Sequence, residues 1–173
     1  MSKRLPSEKA ALELLKQTGC SKKVVEHCKI VADFAAEVAE TCRTEGLKVD
    51  VSLVRIGALL HDIGRSKTHD FDHGLVGAQI ARNLSLPASL VSIIERHVGT
   101  GITQNEAEQL GWPTKSYIPK SLEERIVAYT DKLIRGSTRM PFNTALERFR
   151  RDKNTAKDAV ERLRQWHQEF SHC

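Results

Sequence analysis

Apolar residues recur along this chain at three- and four-residue intervals, which is the period of one face of an α-helix. Pro6-Ser7 opens a first helix whose buried face is Ala11, Leu12 and Leu15, and Gly19 ends it. Ser21 caps a long second helix with a core-facing stripe at Val24, Cys28, Val31, Ala35, Val38 and Cys42. After Gly46, Asp50 caps a third helix that carries Val54, Ala58 and His61 at helical spacing, with Gly64 expected to end it through a positive φ. In the fourth helix His73, Val76, Gly77, Ile80, Ala81 and Leu84 share one face. Gly77 there permits close approach of another backbone. Pro87 begins a fifth helix, in which Leu90, Ile94 and His97 point the same way until Gly99 stops it.

Residues 102–120 form an insertion with its own short helix, opened by the capping box Thr103-Gln104-Asn105-Glu106 and closed by Gly111. Trp112, Pro113, Tyr117 and Pro119 follow in an irregular stretch. It reads either as a lid on which a base stacks or as plain packing, and packing is favoured. Ser121 to Glu124 make a second capping box, opening a helix with Val127, Thr130, Asp131 and Ile134 on one face. Asn143 and Asn154 are the expected caps of two last helices, the second with Ala156, Ala159, Val160, Leu163, His167 and Phe170 inward. No strand-like alternation, repeat or flexible linker breaks the series. The expectation is an all-α, single-domain helical bundle over residues 1–173.

Composition narrows the class without naming the chemistry. Hydrophobic residues make up 40% and charged residues 28%, which suits a globular chain of 173 residues able to bury a core. No apolar run reaches membrane length, and Met1 to Pro6 lack the apolar stretch of a secretion signal, so a cytoplasmic location and no membrane partner are expected. Cys20, Cys28, Cys42 and Cys173 show no CxxC pairing. Cys28 and Cys42 read as reduced core residues and Cys173 as an inert terminal thiol. The net charge of +5 favours anionic partners: phosphate-bearing substrates, or RNA in looser contact.

The chemistry begins at residues 57–64, Gly-Ala-Leu-Leu-His-Asp-Ile-Gly. His61 and Asp62 sit side by side at a helix's last turn and point inward. A buried carboxylate needs a compensating charge, and a divalent cation holds both side chains. A lone His-Asp pair is usually a surface or capping feature. Here it has company: His27, His73, His97 and Asp131 all fall on inward helical faces. His27 taken alone is a core histidine satisfied by a neighbour. Arg65 and Lys67 follow in a basic loop, and Lys132, Arg135 and Arg139 flank Asp131. The run Arg148, Arg150, Arg151 and Lys153 reads as a solvated face, and His167 and His172, lacking carboxylates beside them, are left out of the site.

These positions resemble the HD superfamily of metal-dependent phosphohydrolases. The H…HD…D pattern is matched by His27, His61-Asp62 and Asp131, and His61-Asp62-Ile63-Gly64 matches the HDIG form. The resemblance spans the metal-binding core at residues 20–137, with 138–173 as a C-terminal helical extension. His73-Gly74 and His97 to Gly101 are similar to the two-metal branch, which includes diadenosine tetraphosphate hydrolases and, more distantly, HD-GYP cyclic dinucleotide phosphodiesterases. Single-metal relatives carry HDxxE, and here Arg65 stands in place of that glutamate.

The resemblance implies one ion on His27, His61, Asp62 and Asp131, with Asp62 bridging to a second on His73 and His97. The N/O donor set suits Fe, Mn, Co, Ni, Zn or Mg. Asp62, His73 and His97 are the expected catalytic residues, and Arg65, Lys67, Lys132 and Arg135 the substrate holders. With the second site empty, His73 or His97 is instead a general acid. The expected activity is hydrolysis of a nucleotide or dinucleoside polyphosphate by metal-activated water. A 2',3'-cyclic phosphate or RNA end is the alternative substrate, and a non-catalytic, metal-stapled nucleotide- or RNA-binding module the alternative class.

Overall fold

The computed structural model describes residues 4–152 and 155–173. Ser7 caps α1 (Glu8–Thr18) and Gly19, at φ 94°, ends it. Ser21 caps the long α2 (Lys22–Thr44) and Asp50 caps α3 (Val51–Leu60); each cap side chain accepts a backbone N–H three residues on. A 3-10 turn (Ile63–Ser66) leads to α4 (His73–Asn83), then α5 (Ala88–Arg96) and the short α6 (Gln104–Gln109) inside its capping box. The chain closes with α7 (Leu122–Lys132), a hairpin of β1 (Ile134–Arg135) and β2 (Thr138–Arg139), α8 (Phe142–Arg151) and α9 (Lys157–Ser171). The fold is mostly helical and forms a single domain. No helix among the described residues is long and apolar enough to cross a membrane.

One core runs through the molecule. α2 lies along α3 and α7, α5 packs on α3, α4 and α7, and Cys28, Val31, Leu60, Ile63, Ile94, Ile126 and Leu163 are sealed from solvent. Buried charge is paired across helices: Arg96 donates to both oxygens of Glu124, and Glu95 accepts from Arg82 and Lys115. Two glycines set the approach of the 3-10 turn to α4. A Cβ on Gly64 would stand 1.9 Å from the His73 carbonyl oxygen, and one on Gly77 would stand 3.1 Å from the Gly64 nitrogen.

Several expectations need correction. Gly64 does not take a positive φ, and its lack of a side chain serves this backbone contact instead. The buried face of α4 is His73, Gly74, Gly77, Ala78 and Ala81, and Leu84 is 39% exposed, because the small residues let α4 press in along a line rotated from the one expected. Ile134 leaves the helix for the hairpin, whose turn holds Gly136 at φ 61°. The Glu124 carboxylate does not complete a capping box; it takes Arg96 and the Lys120 N–H. Pro141 precedes α8, so Asn143 lies within the helix, and on α9 Trp166 is buried where Ala156 is exposed and His167 half-buried. Lys153 and Asn154 lie outside the described residues. Cys42 is not a free core thiol: it forms a disulfide with Cys173 that ties the last residue to the end of α2, while Cys20 and Cys28 are free.

Candidate metal centre

Helix ends deliver most of the candidate ligands. His61 and His97 occupy the C-cap positions of α3 and α5, where backbone carbonyls lack intrahelical partners. Each ring meets that need: Nδ1–H of His61 donates to the Ala58 carbonyl at 2.6 Å, and that of His97 to the Ile94 carbonyl at 2.8 Å. His73, at the start of α4, donates from Nδ1 to the Asp70 carbonyl at 2.8 Å, and His27 on α2 to the Gly136 carbonyl in the hairpin turn, also at 2.8 Å. With all four Nδ1 atoms donating, every neutral ring presents an unprotonated Nε2 to the interior.

Those four nitrogens converge on Asp62. Its Oδ2 faces His27 Nε2 at 4.0 Å and His61 Nε2 at 3.7 Å. Asp131 Oδ1 completes that side, 3.0 Å from His27 Nε2 and 3.4 Å from His61 Nε2. Asp62 Oδ1 faces the other way, 3.4 Å from both His73 Nε2 and His97 Nε2, which are 3.1 Å from each other. One carboxylate thus divides its two oxygens between two pairs of imidazoles.

The residues fit a cation. His61 Nε2 is buried without a hydrogen-bond partner, and the Nε2 atoms of His73 and His97 turn lone pairs toward each other and toward a carboxylate oxygen. Burial and the neighbouring His97 pull His73 down to about 3, and burial also lowers His97, so both are neutral at pH 7. Burial works to raise Asp62, but the neighbouring His61 and His97 hold its carboxyl far below the usual carboxylate range. Asp131 is likewise depressed against its burial by Lys132, His27 and His61. Burial pulls His61 down, yet the surrounding groups, the Asp62 charge foremost with Asp131 beside it, together outweigh it and His61 titrates well above the ordinary imidazole value. A proton on His61 stands where a cation would sit, so binding a metal there would release it. The ends of α3 and α5 add partial negative charge from the same direction. Two overlapping groups, His27 with His61 and Asp131, and His61 with Asp62 and His97, have ligand atoms within 4.8 Å of one another. Burial raises the Cys28 thiol, so it stays protonated and the donor set is imidazole and carboxylate.

A cavity of about 490 Å3 opens over this cluster. Arg65, Lys132 and Arg135 line it, and Lys67 does not, being exposed beyond the 3-10 turn. Arg65 Nε donates to Asp62 Oδ2 at 3.1 Å, and Lys132 Nζ lies 3.0 Å from Asp131 Oδ2. Arg139 points elsewhere, pairing with Glu37 and stacking on Phe34. Trp112 packs between Phe71 and the buried Tyr117, whose hydroxyl donates to the Pro113 carbonyl; neither Trp112 nor Tyr117 reaches the cavity. His167 accepts from Tyr129 and stacks on Phe142, away from the cluster. Sequence reasoning missed Lys23 and the α8 wall, including Arg148 and Phe149. The wall is anchored by α9, where Arg162 donates to the Thr100 and Gly101 carbonyls of the facing loop.

Comparison with known proteins places this geometry. The HD domain family model matches residues 24–136. The chain is 46% identical over 153 residues to the uncharacterized protein MJ0778 of Methanocaldococcus jannaschii, covering 88% of this chain and 90% of that one. It is 37% identical over 169 residues to the tRNA (cytidine(56)-2'-O)-methyltransferase of Thermoplasma volcanium, where the match takes in 98% of this chain but 48% of the methyltransferase. Among solved structures it is similar in fold to the HD domain of the phosphodiesterase PgpH of L. monocytogenes, with TM-score 0.56, 17% identity and coverage of 94% of this chain and 97% of that one. The same domain in complex with cyclic-di-AMP superposes with TM-score 0.55, at 19% identity over 90% of this chain and 92% of that one. The His-Asp cluster at the helix ends and the match across most of the helical core agree: this chain belongs to the HD domain family.

Proposed function

We propose that this chain is a metal-dependent phosphohydrolase that cleaves a nucleotide phosphoester or phosphoanhydride with water as the nucleophile. The division of the Asp62 oxygens between two imidazole pairs carries the reading, because that arrangement suits a carboxylate bridging two cations. His27, His61, Asp131 and Asp62 Oδ2 would hold one ion, and His73, His97 and Asp62 Oδ1 the other. Bound divalent ions supply Lewis acidity toward phosphoryl oxygens and a water of lowered pKa. Arg65 sits beside Asp62 with its guanidinium at the cavity wall, where it can take two oxygens of a phosphoryl group. Lys132 and Arg135 add positive charge on the side of Asp131. The cyclic-di-AMP complex of the PgpH domain supports a substrate with nucleotide phosphodiester chemistry, and anhydride-linked diadenosine tetraphosphate is the alternative dinucleotide.

The test is elemental analysis of the purified protein, followed by a panel of bis-p-nitrophenyl phosphate, diadenosine tetraphosphate, cyclic-di-AMP and 2',3'-cyclic AMP. Wild type turns over at least one of these with metal bound, and Asp62→Ala loses metal and turnover together. Retained turnover by Asp62→Ala at full metal loading refutes the proposal. A second reading, action on RNA ends or RNA binding without catalysis, is favoured by the tRNA-directed name of one relative and by the net charge of +5. Steeply salt-dependent RNA affinity with no turnover selects that module.

A further inference from the structure

We infer that the mouth of the cavity is a subsite for a second, non-scissile phosphate, built by Arg148, Arg135 and Lys23, so that the substrate is a nucleotide bearing two phosphate groups. The inference rests on the phosphohydrolase reading for which phosphate reacts. Five cationic side chains line the cavity: Lys23, Arg65, Lys132, Arg135 and Arg148. Arg65 and Lys132 are engaged with Asp62 and Asp131, beside the reacting centre. The other three come from the first turn of α2, the hairpin and α8, and among the described residues none has a side-chain ion pair or hydrogen bond.

Arg150 pairs with Glu147 on the same helix as Arg148, and Arg43, Arg55, Arg125 and Arg139 all hold carboxylates. Carboxylates near the mouth are already committed: the Glu106 side chain is taken by the Thr103 N–H and hydroxyl, and Asp152 has a partner of its own. Three unneutralised cations from separate parts of the chain around one concavity focus positive potential beyond what the reacting phosphoryl group requires. Phe71, 38% exposed, and Phe149 line the same cavity and give ring surface for a base. At about 490 Å3 the cavity lies within the range that encloses a small organic ligand.

The experiment is isothermal titration of AMP, 5'-phosphorylated diadenylate (pApA) and diadenosine tetraphosphate into wild type, Arg148→Ala, Arg148→Lys and Arg135→Ala. Each is run with Mn2+-loaded and with chelated protein, and turnover is followed separately. One charge-assisted contact predicts that pApA binds wild type about tenfold more tightly than AMP, and that Arg148→Ala removes most of that difference while AMP affinity stays within about twofold. Arg148→Lys restores part of it, and Arg135→Ala gives a loss in the same direction. The relative affinities of pApA and diadenosine tetraphosphate tell a diester-linked from an anhydride-linked second phosphate. Equal affinity of wild type for AMP, pApA and diadenosine tetraphosphate, no binding of the latter two, or equal weakening of all three by Arg148→Ala overturns the subsite. So does affinity that keeps rising from pApA to a ten-nucleotide RNA, because the anion path then lies outside the cavity. A pApA preference that persists in chelated protein, with no turnover in any metal, keeps the subsite and removes the hydrolase reading.

Discussion

Replacing Gly64 with alanine tests whether backbone packing, rather than the ligands alone, sets the second half of the cluster. The added Cβ would lie 1.9 Å from the His73 carbonyl oxygen, 2.7 Å from the Gly77 nitrogen and 2.9 Å from the His73 carbonyl carbon, all of them backbone atoms. No rotamer change relieves such contacts, so the start of α4 must retreat by roughly 1 Å in a close-packed interior. Metal–ligand distances tolerate about ±0.2 Å, so a shift some five times larger takes His73 out of coordinating range. His27, His61 and Asp131 lie on other elements and stay in place. Overpacking of this kind costs about 3 kcal/mol, which in a domain of this size lowers the Tm by roughly 6–12 °C. Gly57→Ala is the control: on α3, the three atoms nearest its Cβ all belong to the side chain of Ile93 and none to the His73 backbone. The assays are thermal unfolding and metal content by mass spectrometry. Gly64→Ala should lose the more weakly held metal and the stated stability, and Gly57→Ala should keep its metal. Wild-type Tm and metal content in Gly64→Ala would show that this contact does not position His73.

Three further outcomes are expected. Glu95 is depressed below its ordinary value of 4.5: burial works upward, and the hydrogen bonds from Lys115 and Arg82 outweigh it. Its contribution is therefore present above the unfolded carboxyl value and fades as pH falls through the folded one; because both partners are half exposed, Glu95→Gln should cost only about 1 kcal/mol at pH 7, with the two melting curves converging once the pH has fallen below the folded value. The disulfide joins positions 131 apart in the chain, so Cys173→Ser should lose about 3 kcal/mol of stability under oxidising conditions and match wild type in reductant; a wild-type Tm indifferent to reductant rejects the cross-link. Loading chelated protein with Mn2+ or Zn2+ to about 100 times the dissociation constant should add about 2.7 kcal/mol, read as a rise in Tm that Asp62→Ala abolishes.

The bundle and the inward histidines were legible in the sequence because helical periodicity marks a buried face without knowledge of what covers it. His61 and His97 were also followed by helix-stop signals, which placed both at ends facing the interior. The misreadings share one cause, long-range packing. Leu84 lies on the expected stripe of α4, but Gly74 and Gly77 let the helix settle along a neighbouring line. Arg148 belongs to a charged run with a solvated look, and only the folding of α8 over the cluster brings it to the cavity. No local signal pairs Cys42 with Cys173, whose proximity follows from where α9 ends. The expected second capping box was half present, because Glu124 found a stronger partner in Arg96 on another helix.

Each of the four imidazoles is aimed by a peptide carbonyl and not by a neighbouring carboxylate. Main-chain oxygens survive any exchange of side chains, so no single replacement at Ala58, Asp70, Ile94 or Gly136 deletes the atom that steers a ring. Ring aim is therefore inherited from intact helix termini and one tight turn. Surrounding side chains are left free to drift toward new substrates while the centre keeps its orientation.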